Sequence, residues 1–407
     1  MMIQESPAQT MTPKERMIQV LTGGNADVIP AAPAYLSLFL ADIERYLYIE
    51  QYRLRLRDTD LLRYPVDHAE DTCLRARATY QSYAVFKARP DWIEADSGVS
   101  RAWAEKMDIV EHDDQLYFED RVSGKRVAMR NARLYQTGNE LTDVNPSESD
   151  ITDLSLEIHG PDDADRIIQV RSMAELLESG ELDLLRQIVA EYGDRYFISY
   201  VMDTPYCDVS DYLGFFGLMT TIHDRPSLLH YMLERQLAQS GELIAALSRI
   251  GVHGVYVQEI FSGADMISPR AYDEFVFPYN KRYFEKMSKL GLLPIHLVCG
   301  DVMPRLDQMA SYDLAAIAVE ESKKNFRIEI EQVVERVGDK MAVLGNIDAV
   351  QFGLHANPEE MATEVNRQAF HGSRARGFIA STGSPFPLDT HPGQIEALVR
   401  TAHSLPG

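Results

Sequence analysis

Glu259, His296 and Cys299 are the residues whose types and spacing could most readily do chemistry. A thiolate and a neutral imidazole both ligate zinc, and a carboxylate can complete such a set or act as a base. His296 and Cys299 close an apolar run over 292–298, just before Gly300. In a regular strand they would point to opposite faces, so one ion can take both only if the pleat breaks there. Gly300 makes such a break plausible. The competing reading is a packed thiol beside a histidine satisfied by a backbone carbonyl. Glu259 follows a second apolar run over 254–257, and a helical pattern over 269–290 separates the two.

Other groups stand at comparable places. Ser384 follows the last apolar run, where a rim ligand could come from, although serine binds zinc poorly. Asp203 and Tyr206 follow the run at 196–202; Glu320 and Glu321 follow 314–319; Asn346 and Asp348 follow 341–344. One of the two adjacent glutamates could point into a rim while the other meets solvent. Asn346 could hydrogen-bond a substrate or orient a ligand. Glu274 lies within the helical pattern, where carboxylates are usually solvated. This gives Glu259, Asn346 and Asp203 as candidate catalytic groups. The candidate metal set is Glu259, His296, Cys299 and Ser384. Tyr206, Glu274, Glu321 and Asn346 are candidates for binding substrate.

These residues must be positioned by an alternating framework. From Tyr196 onward, six apolar runs alternate with helical patterns, and each run ends in polar or glycine-rich residues. Segments near Ala31 and within 67–97 could raise the number of strands to about eight. That count favours a (β/α)8 TIM barrel with its site on the C-terminal rim. One barrel domain over 1–407 is expected, with an N-terminal helical extension over 1–30. Thr12-Pro13-Lys14-Glu15 opens a helix there through a capping box. Residues 103–135 change to β-type alternation, broken by Asp113-Asp114 and Ser123-Gly124, and predict a β-hairpin insert.

The chain has 407 residues and a net charge of −22. That surface repels phosphate backbones, so a nucleic-acid partner is not expected. Three cysteines fit a reduced cytoplasm better than a disulfide scaffold. No apolar run is long enough to span a bilayer, so no membrane role is expected. A homodimer is compatible with the sequence. No GxGxxG, GxSxG, HExxH, P-loop or CxxC occurs, which removes support for dinucleotide, serine-hydrolase, zincin and nucleotide-triphosphatase readings.

Several motifs, in order along the chain, resemble the uroporphyrinogen decarboxylase superfamily. They are Thr12–Arg16 with Asp27-Val28-Ile29-Pro30, Ile267-Ser268-Pro269 with Phe275 and Pro278-Tyr279, and His296 with Cys299-Gly300. Gly345-Asn346-Ile347-Asp348 and the stretch from Gly383 to Pro392 complete the set. The resemblance implies a barrel with a deep cleft at the C-terminal rim. Decarboxylases of that superfamily carry an arginine-rich N-terminal motif, whereas the matching stretch here reads Ala32-Pro33-Ala34-Tyr35-Leu36-Ser37. The other branch, zinc-dependent corrinoid methyltransferases, is similar at the His/Cys segment. Here the His-to-Cys spacing is one residue longer, and Ser384 stands where a later cysteine is expected. With Glu259 compensating, the resemblance implies a zinc-dependent methyltransferase. It would pass a methyl group from a small methylated substrate, for example a methoxylated aromatic, to a corrinoid (cobalamin) protein. The rivals are a decarboxylase-like lyase of a small acid and a non-catalytic homologue that binds the corrinoid protein.

Overall fold

A computed structural model describes residues 10–57, 63–129, 158–323 and 325–407. Its strands, in chain order, are β1 Arg63–Pro65, β2 Trp92–Ala95, β3 Met107–His112, β4 Gln115–Asp120 and β5 Arg126–Ala128. Then follow β6 Phe197–Asp203, β7 Gly254–Glu259, β8 Leu293–Val298, β9 Ala316–Val319, β10 Ala342–Leu344 and β11 Phe378–Ile379.

Seven of these form one parallel sheet in the order β11-β10-β9-β8-β7-β6-β2. The sheet closes through the segment around Ala31. Ala31 bridges Ala380 in parallel beside β11, while the Asp91 amide, just before β2, donates to the Ala31 carbonyl at 2.8 Å. Ala31 is therefore the eighth stave of a TIM-barrel-like (β/α)8 fold, as the alternation predicts.

Side-chain alternation sorts each strand into two faces. Trp92, Phe197, Tyr256, Ile295, Leu297, Ala318 and Leu344 pack together inside the barrel. Ile93, Ile198, Val255, Val257, Val298, Ile317 and Val343 face the helical layer. The helix Pro13–Leu21 has the expected capping box at Thr12 and Glu15. Its Met17, Val20 and Leu21 join the inner cluster, so this helix plugs the N-terminal end of the barrel.

The alternating runs at 107–128 are three antiparallel strands, and β1 adds a fourth in the order β1-β3-β4-β5. Residues 130–135 of the expected insert lie outside the described residues. The stretch 67–95, which lacks a clear apolar period, contains the helix His68–Tyr83. Its buried face mixes Leu74, Ala76, Ala78 and Tyr83 with polar residues. Asp71 accepts from Tyr52 at 2.8 Å and from Tyr48, and Arg75 donates to Asp71 at 2.5 Å. All of this is buried against the helix Leu36–Arg57. The pattern at 269–290 is two helices, Pro269–Phe275 and Phe277–Lys289, separated at Val276. Among the described residues, no helix is long and apolar enough to cross a membrane.

Candidate active site

β7 and β8 run side by side with Val257 opposite His296 and Glu259 opposite Val298. Both Glu259 and His296 therefore fall on the outer face, between the sheet and its helices. His296 is fully buried. Its ring packs 4.8 Å from Phe284 and 6.1 Å from Tyr312, measured between ring centres. Nε2 of His296 lies 3.5 Å from a Glu259 carboxylate oxygen. Glu259 is also fully buried and accepts from Ser262 Oγ and Asn280 Nδ2. Burial pushes the Glu259 carboxyl up, but His296, Ser262 and Asn280 outweigh it and hold the group below the ordinary glutamate range. Tyr206, fully buried, approaches the same network, and its hydroxyl is raised by burial and by Glu259.

Cys299 lies on the other side. It packs against the inner cluster, in phase with Leu297 and Ile295. The strand keeps its pleat through Val298, and Gly300 takes up the left-handed conformation (φ 92°) only afterwards. An inward-facing partner for Cys299 within β8 would have to stand at 297, where the chain has leucine. Ser384 is elsewhere on the rim and donates to both oxygens of Glu321, at 2.8 and 3.0 Å.

The zinc set expected from Glu259, His296, Cys299 and Ser384 is thus not assembled. Glu259 and His296 come together, sealed behind the sheet; Cys299 and Ser384 do not join them. Among the described residues, no three His, Cys, Asp or Glu side chains converge to hold a metal ion. The residues present do not fit a bound zinc ion.

Inside the mouth, the inner alternation continues into polar groups. Glu94 follows Trp92, Gln258 follows Tyr256, Cys299 follows Leu297 and Glu320 follows Ala318. Glu94 accepts from the amides of Tyr35 and Ser37, both at 2.9 Å, and so caps the start of the helix Leu36–Arg57. Burial nonetheless pushes its carboxyl up to about 7. Tyr35 (φ 49°) donates its hydroxyl to Gln258. Its ring meets Tyr256 edge-on at 5.2 Å, and Tyr256 meets Trp92 at 5.1 Å. Trp92 Nε1, Tyr256 OH and Ser199 Oγ are buried here with no hydrogen-bond partner. Most barrel interiors are filled with branched apolar residues; this one ends in a polar cup over an aromatic floor.

Glu320 is half-buried beside Cys299 and accepts from the Gly300 amide at 2.9 Å. Burial raises its carboxyl above the ordinary range despite that bond. Burial and the neighbouring Glu320 push the Cys299 thiol well up, so it stays protonated. Lys323 ion-pairs with Glu321.

The remaining expected groups are more dispersed. Asn346 uses its side-chain amide on the carbonyls of Glu320 (3.1 Å) and Ile328 (2.9 Å), which staples the loop after β9 to the end of β10. Asp203 is half-buried at the end of β6, pushed up to about 6 by burial and by Asp211. Glu274 lies on the outer helical layer near His230 (3.6 Å) and Arg270 (3.8 Å). Glu94, Tyr35, Gln258, Tyr256 and Trp92 were not among the expected site residues. Their signal was the two-residue step inward from Trp92 and Tyr256, legible only once the phase of each pleat is known.

The fold and the cup define a (β/α)8 barrel protein with its polar site at the C-terminal rim. The family model described as Uroporphyrinogen decarboxylase (URO-D) matches residues 142–405, well over half of the chain. The chain therefore belongs to the uroporphyrinogen decarboxylase family. Curated uroporphyrinogen decarboxylases are similar over part of it. One from Rhodococcus opacus is 28% identical over 189 residues, which are 45% of this chain and 50% of that protein. One from Aliivibrio salmonicida is 26% identical over 47% of this chain and 53% of that protein. The chain spans about half the length of the curated relatives it matches. A methyltransferase from Methanosarcina mazei has the same fold, with a TM-score of 0.63 and 16% identity, over 96% of this chain and 98% of that one.

Proposed function

We propose that this chain is a methyl-transferring enzyme whose chemistry occurs in the inner cup, with Glu320 as the proton donor. The observation that carries this reading is the charge of the cup. Its half-buried Glu320 and buried Glu94 are both pushed toward their protonated forms, and Lys323, a cation on the same loop as Glu320, is engaged by Glu321. The cup groups Glu94, Gln258, Cys299 and Glu320 include no guanidinium to clamp a polycarboxylate substrate. A small neutral methylated substrate, such as a methoxylated aromatic, suits the cup better, with its ring near the aromatic floor.

In this reading the methyl–oxygen bond of the substrate breaks as the methyl carbon bonds to an external acceptor. The departing oxygen takes the Glu320 proton, so no free phenoxide or alkoxide is released. Gly300 fixes the carboxyl through its amide, and Asn346 fixes the loop that carries Glu320. Cys299, kept as a thiol, neither competes for the methyl group nor adds negative charge. The acceptor is a corrinoid protein, whose cobalamin is held by the partner and not by residues of this chain. No zinc ion is called on.

The test is methyl transfer from methoxylated benzoates to added cob(I)alamin, followed by absorbance. Transfer by the wild-type protein that falls at least ~100-fold in Glu320→Gln is expected. Carbon dioxide release from a small acid, without methyl transfer, would overturn the reading in favour of a lyase.

A further inference from the structure

The opposite end of the barrel carries a second cleft of the opposite sign. It encloses about 1000 Å³ and is lined by Lys87, Arg89, Arg195, Arg400, His403 and Tyr196, among others, with no carboxylate side chain among the described residues of its lining. Its position follows from the chain path. Lys87 and Arg89 precede β2, Arg195 precedes β6, and Arg400 and His403 end the last helix, Pro392–Ala402.

The charges are arranged to stay available. Arg89 donates to the hydroxyls of Tyr80 (2.9 Å) and Tyr196 (3.3 Å) and lies over the Tyr80 ring. Arg195 lies 5.4 Å over the Tyr196 ring. Neither makes an ion pair among the described residues, nor does Lys87; Arg400 reaches Glu396 only at 3.8 Å. Asp91, behind the wall, is consumed by Arg16, by His403 at 2.8 Å and by the Ala31 amide at 2.7 Å. Chain-wide, acidic residues outnumber basic ones by 62 to 40. Three cations left without carboxylate partners around one concavity are therefore not a consequence of composition. Convergent guanidinium and ammonium donors in a recess recognise oxyanions, with arginine favouring bidentate contact. The Tyr80 and Tyr196 hydroxyls hold Arg89 without neutralising it.

We propose that this cleft is a binding site for a small multivalent oxyanion, separate from the rim site and on the far side of the barrel from it. The chemistry is shared by oligophosphates and polycarboxylates, so both are needed as probes. The experiment is calorimetric titration of the full chain with inorganic tripolyphosphate and, separately, with citrate, at low and at physiological salt. Lys87→Gln and Arg195→Gln serve as variants, because their side chains make few contacts, and thermal melting checks their folding. Binding of either probe that weakens about tenfold in each folded variant, and weakens with salt, is expected. Tripolyphosphate alone binding assigns a phosphorylated ligand; citrate alone assigns a polycarboxylate. No binding of either probe at millimolar concentration and low salt would overturn the proposal. So would affinity unchanged in both variants.

Discussion

The two faces of β7 and β8 carry similar residue types and differ in access. Outside, Glu259 and His296 are fully buried, and Ser262 and Asn280 hold the carboxylate in place. Inside, Gln258 and Cys299 are half-buried, and so is Glu320 on the neighbouring β9. The outer groups have the stronger chemical repertoire on paper, yet nothing from solvent reaches them. The inner groups are weaker individually, but they share a cup with an opening. A single step along the strand decides which set meets a substrate. The outer network is therefore expected to govern stability and the inner cup to govern turnover.

Four changes test that contrast. The largest effect is expected from Glu259→Ala. It strands Asn280, Ser262 and His296 in a sealed layer, and should cost about 3–5 kcal/mol in urea-induced unfolding. A small loss of stability there would mean that the outer layer is more open than the geometry indicates. Next comes Glu320→Gln, which keeps shape and hydrogen bonding but removes the proton. Methyl transfer should fall at least ~100-fold while thermal melting stays within a few degrees.

A pH effect follows in size. Glu94 is held at about 7 against an ordinary 4.5, and Asp203 and Asp96 at about 6 against 3.8, in each case chiefly by burial. Their folded forms keep protons that the unfolded chain has already lost. Stability from these groups is complete below their unfolded values and is lost as pH rises through 6 and 7. Melting temperature should therefore decline between pH 5 and pH 8, and the decline should lessen in Asp203→Asn. The smallest effect is expected from Cys299→Ala. Metal content of the purified protein should not change, and stability should shift by no more than about 1 kcal/mol. A fall in bound zinc in that variant would restore the thiol to a metal site.

Much of the fold was legible in the sequence, because apolar runs ending in polar residues mark parallel strands whatever their neighbours. The runs at 254–257 and 292–298 became β7 and β8 nearly residue for residue. The segment near Ala31, one of the expected further strands, contributes a parallel bridge to Ala380 and closes the barrel. The helix His68–Tyr83 shows no clear apolar period because Asp71, Arg75 and Thr79 share its buried face with Leu74, Ala76, Ala78 and Tyr83. The site was less legible. Glu259 and His296 do meet, as their positions suggested. Which face they meet on depends on the phase of the pleat, and sequence spacing does not show whether Gly300 breaks it before or after Cys299. The cup residue Glu320 stood in plain view beside Glu321, but only the register of β9 tells which of the two faces inward.

The proposed methyl transfer in the inner cup rests on Glu320. The most direct measurement is the rate of methyl transfer from a methoxylated benzoate to cob(I)alamin, for wild-type and Glu320→Gln proteins of matched stability. A rate at least ~100-fold lower in the variant, with substrate binding retained, is the result the cup predicts. An unchanged rate in Glu320→Gln would contradict it.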